Sequence, residues 1–265
     1  MEKSKTSSIV KRIVTALVLV PVTVGVLYAG YPYVQVMALV FGGMMAWEWS
    51  NMVPNKGNGT YGIVYALAVA AAIFATSPWA VAAVVAGSAV LVWIKARGEF
   101  RRHLLTLGVL YISIGIGSLV WLYGQVGFLD TMWFLLMVWG VDTGGYVVGS
   151  TLKGPKLAPK ISPNKTWSGL FGGVALSVLI SIAYSYAFTE HNHVLFYAVL
   201  GGIIAVVAQI GDLVESYIKR SIGIKDSSNL IPGHGGVFDR VDGLIFTAPL
   251  VALWFKFGLM LFEVR

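Results

Sequence analysis

Long apolar runs recur along almost the whole chain, and they restrict its fold more than any other feature. Nine such segments are separated by polar stretches, and most approach the ~20 residues that a helix needs to cross a bilayer core. They are residues 13–29, 34–50, 61–76, 79–94, 105–123, 129–149, 167–188, 194–217 and 244–262. Only 12% of the 265 residues are charged and 57% are hydrophobic, which excludes a water-soluble enzyme, a disordered chain and a nucleic-acid-binding domain. The sequence predicts an all-α, polytopic integral membrane protein with about nine transmembrane helices.

The positions of the basic residues predict the direction of these segments. Seventeen of the 19 Lys and Arg residues lie before the first segment or in alternate loops, and the loops on the other side contain none. Such a bias marks the basic side as cytoplasmic. We therefore expect a cytoplasmic N-terminus, a C-terminus outside and a first segment, 13–29, that is an uncleaved signal anchor.

Several acidic residues lie in or beside the apolar segments, where a charge is costly. Asp142 lies in the sixth segment, and Asp212 and Glu215 lie in the eighth. A carboxylate at the centre of a membrane helix costs about 2.5–3.5 kcal/mol on insertion scales, so such residues usually face a polar cavity. All three lie in segment halves that approach the predicted cytoplasmic side, and Asp239 and Asp242 follow in the loop before the ninth segment. The pattern predicts a carboxylate cluster in a cytoplasm-facing cavity.

Helical spacing places four polar residues of the eighth segment on one face. They stand at i, i+3, i+4 and i+7 and are Asp212, Glu215, Ser216 and Lys219. Clustered carboxylates in a chain with no cysteine favour a hard divalent cation, and Mg²⁺ usually takes one or two carboxylates with water and substrate phosphates. The nearby basic residues and the glycine-rich segment 232–236 suit phosphate oxygens. This combination is typical of phosphoryl or nucleotidyl transfer.

Structural explanations compete with this interpretation. Asp212 and Glu215 can simply form ion pairs with Lys219 and Arg220 of the same segment. Glu48, at the end of the second segment, is predicted to be an interfacial anchor. The loop lysines also fit the positive-inside rule without any further function.

Two stretches in the C-terminal half resemble a known family. The first contains Ser216, Lys219-Arg220, Lys225-Asp226, His234-Gly235-Gly236 and Asp239-Arg240-Val241-Asp242. In residue type and spacing it resembles the signature of the phosphatidate cytidylyltransferases, also called CDP-diacylglycerol synthases. The second stretch contains Asp142-Thr143-Gly144-Gly145-Tyr146, Lys160-Ile161-Ser162-Pro163-Asn164-Lys165-Thr166 and Gly169, and it is similar to the same family. Together the two stretches cover residues 140–243.

The resemblance implies a bacterial-type inner-membrane enzyme that makes CDP-diacylglycerol from phosphatidate and CTP and releases pyrophosphate. It implies Mg²⁺ dependence, with a second cation left open, a homodimer and an active site that faces the cytoplasm. The expected partners are CTP, phosphatidate and bilayer lipid, and no nucleic acid. Within one membrane domain, 1–265, we assign residues 1–125 to a lipid and dimer scaffold and residues 126–265 to the catalytic spans and loops.

The resemblance also leads us to assign individual site residues. The expected metal ligands are Asp212, Asp239 and Asp242. The expected catalytic groups, which would hold phosphates, are Ser216, Lys219, His234 and Arg240. The expected substrate-binding residues are Lys160, Ser162, Asn164, Lys165, Thr166, Lys225, Gly235 and Gly236. Asp142 and Glu215 are expected to support the site.

Other functions remain alternatives. A CTP-dependent polyprenol kinase would transfer only the γ-phosphate and leave CDP. An ion-coupled transporter would use Asp142, Asp212 and Glu215 as its ion pathway, although transporters usually have paired halves and we find no internal repeat. A CDP-alcohol phosphotransferase needs a long series of spaced aspartates on one helix pair, which this sequence lacks.

Overall fold

The computed structural model describes residues 2–53, 59–189, 193–231 and 235–262, and most of these residues are helical. In chain order the elements are α1 (Glu2–Ala29), α2 (Tyr33–Met52), α3 (Gly59–Phe74), α4 (Pro78–Lys95), α5 (Arg102–Leu152), β1 (Lys156–Ala158), β2 (Ser162–Thr166), α6 (Trp167–Phe188), α7 (Val194–Ser221) and α8 (Phe238–Phe262). Each predicted apolar segment lies mainly or wholly within one of these helices.

The described helices identify a multi-pass membrane protein. Four of them, α4, α5, α6 and α7, are long and apolar enough to cross a membrane. Shorter apolar helical stretches lie at Leu17–Ala29 and Tyr61–Phe74. A helix satisfies its own backbone hydrogen bonds, which is the requirement for an apolar segment inside a bilayer. The prediction of a helical membrane protein is therefore confirmed.

Helix α5 consists of two helical stretches that meet at Gly127. This residue has φ 73° and ψ −161°, which is not a helical conformation. A positive φ favours glycine because glycine has no Cβ to clash with the neighbouring carbonyl. The Thr131 hydroxyl donates to the Gly127 carbonyl at 2.7 Å, across this interruption. The interruption lies between the predicted segments 105–123 and 129–149.

The connection 150–166 contains a small β-hairpin that the sequence did not predict. Strands β1 and β2 pair antiparallel, with Ala158 opposite Ser162. Strand β2 leads directly into α6, and its last residue, Thr166, caps that helix by accepting a hydrogen bond from the Gly169 amide at 3.1 Å. The strands are only three and five residues long and have no alternating apolar pattern, so periodicity could not reveal them.

The chain forms two compact units that are discontinuous in sequence. The first unit contains Met1–Gly124 and Ile222–Val241, and the second contains Gln125–Ser221 and Asp242–Arg265. The first boundary lies one residue from the predicted division after residue 125. The polar segment 222–241, which carries much of the family-like signature, belongs to the first unit.

Buried aromatic side chains hold the end of α2 in the first unit. Trp49 is fully buried, and its Nε1 donates to the Leu104 carbonyl at 3.0 Å. Tyr65 of α3 is also fully buried and donates from its hydroxyl to the Leu105 carbonyl. A Cβ atom at Gly108 would overlap the Trp49 indole, so this glycine allows the indole to lie against α5. These contacts fix the position of the last turns of α2.

Small residues let the helices of the second unit approach closely. A Cβ atom at Gly173 of α6 would lie 2.7 Å from the Val141 carbonyl oxygen of α5. A Cβ atom at Gly201 of α7 would lie 2.9 Å from the Ser181 Cβ and 3.2 Å from the Ser177 carbonyl oxygen of α6. Membrane helices gain stability from such packing because lipid offers no hydrophobic driving force between them.

Two adjacent glycines of α7 provide a test of this packing. A Cβ at Gly202 would meet the nearest Val178 methyl at 3.6 Å, which is ordinary contact, whereas Gly201 has no such space. We expect Gly201→Ala to lower the free energy of unfolding by about 1–3 kcal/mol through overpacking, and Gly202→Ala to have little effect. The measurement is thermal unfolding of the purified protein in detergent. Equal stabilities for the two variants would contradict the packing of α6 against α7.

Candidate active site

The polar face predicted on α7 is present, and its side chains form two pairs. The Ser216 hydroxyl donates to Asp212 Oδ1 at 3.3 Å. The Lys219 ammonium lies 2.6 Å from Glu215 Oε2. Lys219 is only 8% exposed and Glu215 only 1%, so this ion pair is inside the protein. Of the ion pairs considered from the sequence, Glu215 with Lys219 is confirmed.

The hairpin packs against the C-terminal part of α7 through two basic side chains. Lys165 of β2 forms an ion pair with Asp212 Oδ2. Arg220 of α7 donates from Nε to the Ile161 carbonyl between the strands at 3.3 Å. The structure therefore places Lys165, a predicted substrate-binding residue, in contact with Asp212, a predicted metal ligand.

Three acidic side chains interact around Asp242 in the second unit. Burial and the carboxylates of Asp212 and Asp142 raise the pKa of Asp242 above the ordinary value for an aspartate, and Lys165 opposes this shift. Three carboxylates and one ammonium group thus share this region. Asp142, which was predicted only as a supporting residue, is one of its members.

The acidic side chains around Asp242 fit a magnesium ion that is bound mainly by water and substrate phosphates. In the described ranges, no group of three or more Asp, Glu or His side chains is arranged as a metal cage. Mg²⁺ rarely uses such a cage, because it keeps several waters and takes one or two carboxylates together with substrate phosphates. The repulsion among Asp142, Asp212 and Asp242, which a bound cation would relieve, is compatible with that mode of binding.

Asp239, the other predicted metal ligand, organises a loop of the first unit. It lies in the first turn of α8, which begins six residues before the predicted apolar segment 244–262. Its Oδ2 accepts hydrogen bonds from the Ser227 amide at 2.9 Å, the Ser227 hydroxyl at 3.0 Å and the Gly236 amide at 2.8 Å. Asp239 therefore has a structural function, and its contact with a metal stays a prediction.

The two glycines of the signature are required by the close approach of carboxylates. Gly235 has φ 84°, and a Cβ there would lie 2.6 Å from Asp239 Oδ2. A Cβ at Gly236 would lie 2.8 Å from the carboxyl carbon of Glu48. The sequence interpretation was that these glycines bring backbone amides to a phosphate, but the Gly236 amide already donates to Asp239. A phosphate at this amide would have to replace the aspartate.

Glu48 is the main residue that the sequence interpretation missed. Its side chain is 1% exposed, and four donors lie within hydrogen-bond distance of the carboxylate, one of them the Ser227 hydroxyl, whose single proton is shared with Asp239. The donors are the hydroxyls of Ser227 at 3.3 Å and Ser228 at 2.5 Å and the amides of Val237 at 2.8 Å and Phe238 at 2.8 Å. The prediction of an interfacial anchor is wrong, because an anchor places its carboxylate in water and this carboxylate is enclosed by residues 227–228 and 237–238.

The remaining predicted site residues differ in their surroundings. Lys160 and Asn164 of the hairpin are exposed, and Ser162 is half-buried. Thr166 is 5% exposed and caps α6, so it has a structural function and its nucleotide contact stays a prediction. His234 lies outside the described residues. Lys225 and Arg240 are exposed in the first unit.

Comparison with known proteins decides the family. A model of the cytidylyltransferase family matches residues 10–257. The chain belongs to this family. Similar family members include the phosphatidate cytidylyltransferases of Brucella suis biovar 1 and Brucella melitensis biotype 1, each 35% identical over 261 residues, which cover 94% of this chain and 93% of the relative. The phosphatidate cytidylyltransferase of Rickettsia typhi is 42% identical over 155 residues, or 56% of this chain and 68% of the relative.

The buried Lys219–Glu215 pair predicts a specific pattern of stability. Lys219→Met should lower the free energy of unfolding by about 3–5 kcal/mol, because it leaves a buried carboxylate without its cation. The double variant Lys219→Met, Glu215→Met should recover most of this loss, because both charges are removed. Exposed Lys225→Met is the control and should unfold like the wild type.

Thermal unfolding in detergent, with activity assayed in parallel, checks this prediction. A double variant that is stable but inactive would assign the Lys219–Glu215 pair a part in the reaction beyond stability. A double variant as unstable as the single one would contradict the coupling between the two charges.

Proposed function

We propose that the protein is a phosphatidate cytidylyltransferase, which transfers CMP from CTP to phosphatidate and gives CDP-diacylglycerol and pyrophosphate. The observation that carries this proposal is the family match over residues 10–257, with relatives of this activity that align with 94% of the chain. The protein is then a nucleotidyltransferase of phospholipid biosynthesis.

In the proposed reaction, a phosphate oxygen of phosphatidate attacks the α-phosphorus of CTP in line. One P–O bond forms at the α-phosphorus, the bond to the β-phosphate oxygen breaks, and pyrophosphate leaves with its electron pair. The nucleophile is already an anion, so a strong general base is not needed. The barrier comes from bringing two anions together, and positive groups at the site lower it.

Asp212 and Asp242 are the proposed ligands of Mg²⁺, with Asp142 in support. A cation bound between these acidic side chains would relieve the repulsion among them. Asp239 is proposed as a further ligand on the basis of the signature alone, and a second cation is left open. When bound, Mg²⁺ supplies charge neutralisation at the phosphates and at the leaving pyrophosphate.

Three of the proposed phosphate-binding groups lie on α7 or on the hairpin beside it. Lys165 forms an ion pair with Asp212, and Ser216, one turn further along α7, donates a hydrogen bond to the same carboxylate. If Asp212 binds the metal of the nucleotide, both side chains are close enough to bind the phosphate oxygens of that nucleotide. Lys219, paired with Glu215, supplies positive charge further along the same helix. The other proposed phosphate ligands, on the basis of the signature, are His234, Lys225 and Arg240, and Lys160, Ser162, Asn164 and Thr166 are proposed for the nucleotide.

We place the enzyme in a bacterial inner membrane as a homodimer. The proposed topology has nine crossings, a cytoplasmic N-terminus and a C-terminus outside. It is supported by the placement of 17 of 19 basic residues on one side and by bacterial relatives. The site would face the cytoplasm, where CTP is available, and the acyl chains of phosphatidate would remain in the bilayer.

Nucleotide labelling tests the proposed activity. The purified protein in detergent is incubated with phosphatidate, Mg²⁺ and each of the four NTPs, labelled at either the α- or the γ-phosphate. We expect lipid-extractable label only from α-labelled CTP, with an equal amount of pyrophosphate. Label in lipid from the γ-phosphate, with CDP released, would identify a kinase instead.

The same assay includes a metal control. Chelation of Mg²⁺ should abolish the transfer, and added Mg²⁺ should restore it. Asp212→Asn keeps the shape of the side chain but removes its charge, so activity should fall by at least ~100-fold. Full activity of this variant at every Mg²⁺ concentration would exclude Asp212 as a ligand.

The proposed topology has a separate test. A reporter fused after Arg265 that functions only outside the cytoplasm should be active, because nine crossings place this terminus outside. The control is the same reporter fused before the first apolar segment, where it should be inactive. A cytoplasmic reporter that is active after Arg265 would mean an even number of crossings.

A further inference from the structure

We propose that Glu48 of α2 is a positioning residue for the signature loop, defined as residues 222–241. This inference rests on the proposed function, because it gives Glu48 a part in the same reaction. Glu48 lies far from the signature in sequence, and its helix carries none of the predicted site residues. Its contacts are nevertheless with residues of the loop.

Each carboxylate oxygen of Glu48 has two hydrogen-bond donors. Oε1 accepts from the Ser228 hydroxyl and the Val237 amide. Oε2 accepts from the Ser227 hydroxyl and the Phe238 amide. In the described part of the chain, every hydrogen-bond partner of this carboxylate is therefore a neutral donor, and each oxygen binds one residue near the start of the loop and one near its end.

Glu48 also caps α8 from a distance. The Val237 and Phe238 amides precede or begin the helix, where amides have no partner inside the helix. A carboxylate is favourable at this position because it complements the positive end of the helix dipole. The cap comes from a residue 189 and 190 positions away in sequence, so it ties the first turn of α8 to α2 as well as satisfying its amides.

The effect of Glu48 continues to Asp239 through a shared neighbour. The hydroxyl of Ser227 lies within hydrogen-bond distance of Glu48 Oε2 and of Asp239 Oδ2. The amide of Ser227 also donates to Asp239. Holding Ser227 therefore holds Asp239, which is adjacent to Arg240 in the signature. The proposed metal and phosphate groups of the loop thus depend on Glu48 without touching it.

Apolar packing beside Glu48 adds to this hold. Phe238 is 1% exposed, with its ring centroid 5.2 Å from that of Trp49 and 5.6 Å from that of Tyr111. Gly236 leaves no room for a Cβ against the Glu48 carboxyl group. The loop is therefore fitted around the end of α2 by both hydrogen bonds and shape.

Glu48→Gln separates the charge from the size of the side chain. A glutamine has one acceptor oxygen, and its amide nitrogen would face one backbone amide and one serine hydroxyl where Glu48 has an oxygen. The hydrogen bond from that backbone amide is lost, the serine hydroxyl must turn to accept, and the volume is kept. Glu99→Gln is the matched control, because it makes the same chemical change at an exposed residue of the same unit.

The experiment combines amide hydrogen exchange with steady-state kinetics on purified full-length protein in detergent. For Glu48→Gln we expect faster exchange in peptides that contain Ser227 or Val237, with unchanged exchange in α3. We expect kcat/KM for CTP to fall by about 100-fold, mainly in kcat, as for a small misplacement of reacting groups. Glu99→Gln should match the wild type in both measurements.

Several results would overturn the inference. Exchange and kinetics of Glu48→Gln that equal those of the wild type would overturn it. Faster exchange throughout the first unit would also overturn it, because that result indicates a general structural role. If Glu48→Gln fails to accumulate, the same measurements are made on Ser228→Ala. This variant keeps Glu48 but removes the hydrogen bond that the Ser228 hydroxyl donates to it. Faster loop exchange with a smaller loss of kcat would support the inference, and wild-type behaviour would overturn it.

The exchange measurement also separates this inference from the proposed function. If the wild-type protein transfers no CMP, the proposed function fails. Faster exchange confined to the loop in Glu48→Gln would then still support the anchoring of the loop by Glu48, and unchanged exchange would overturn it.

Discussion

The cost of placing a carboxylate in apolar surroundings accounts for much of this structure. Three acids, Glu48 and Glu215, which are buried, and Asp212, which is half-buried, are each compensated in a different way. Glu215 has the ammonium of Lys219, Asp212 has that of Lys165, and Glu48 has two hydroxyls and two amides. These compensating groups come from the next turn, from a hairpin and from a loop. The acids therefore determine where the polar segments of a largely apolar chain are held.

The same compensation gives several of the proposed site residues fixed partners within each unit. An ion pair holds the hairpin lysine, and a helix cap with a shared serine holds the signature aspartate. Groups held in this way need little reorganisation when phosphates arrive, which favours electrostatic catalysis. Glycines make the arrangement possible, because Gly236 lets a loop reach a buried carboxylate and Gly201 lets two helices meet.

Much of the fold and part of the site could be predicted from the sequence. The bounds of α6 agree with the apolar segment 167–188, and the polar face of α7 follows from helical spacing. The hairpin and the early start of α8 could not be predicted, because short polar segments carry no periodicity. Glu48 was missed because an acid at the end of an apolar segment has the same pattern whether it faces water or a buried loop.

The sequence by itself determined the helical membrane class, the family and the identity of the charged groups. These depend on composition, periodicity and motif spacing, which are properties of short stretches of chain. Only the tertiary structure decided which groups compensate these acids. Asp212 is paired with Lys165, and Glu48 accepts from the amides of Val237 and Phe238, which are 189 and 190 residues away in sequence. The physical reason is that a buried charge is stabilised by whichever donors lie near it in space. Spacing along the chain does not specify those donors when they come from distant segments.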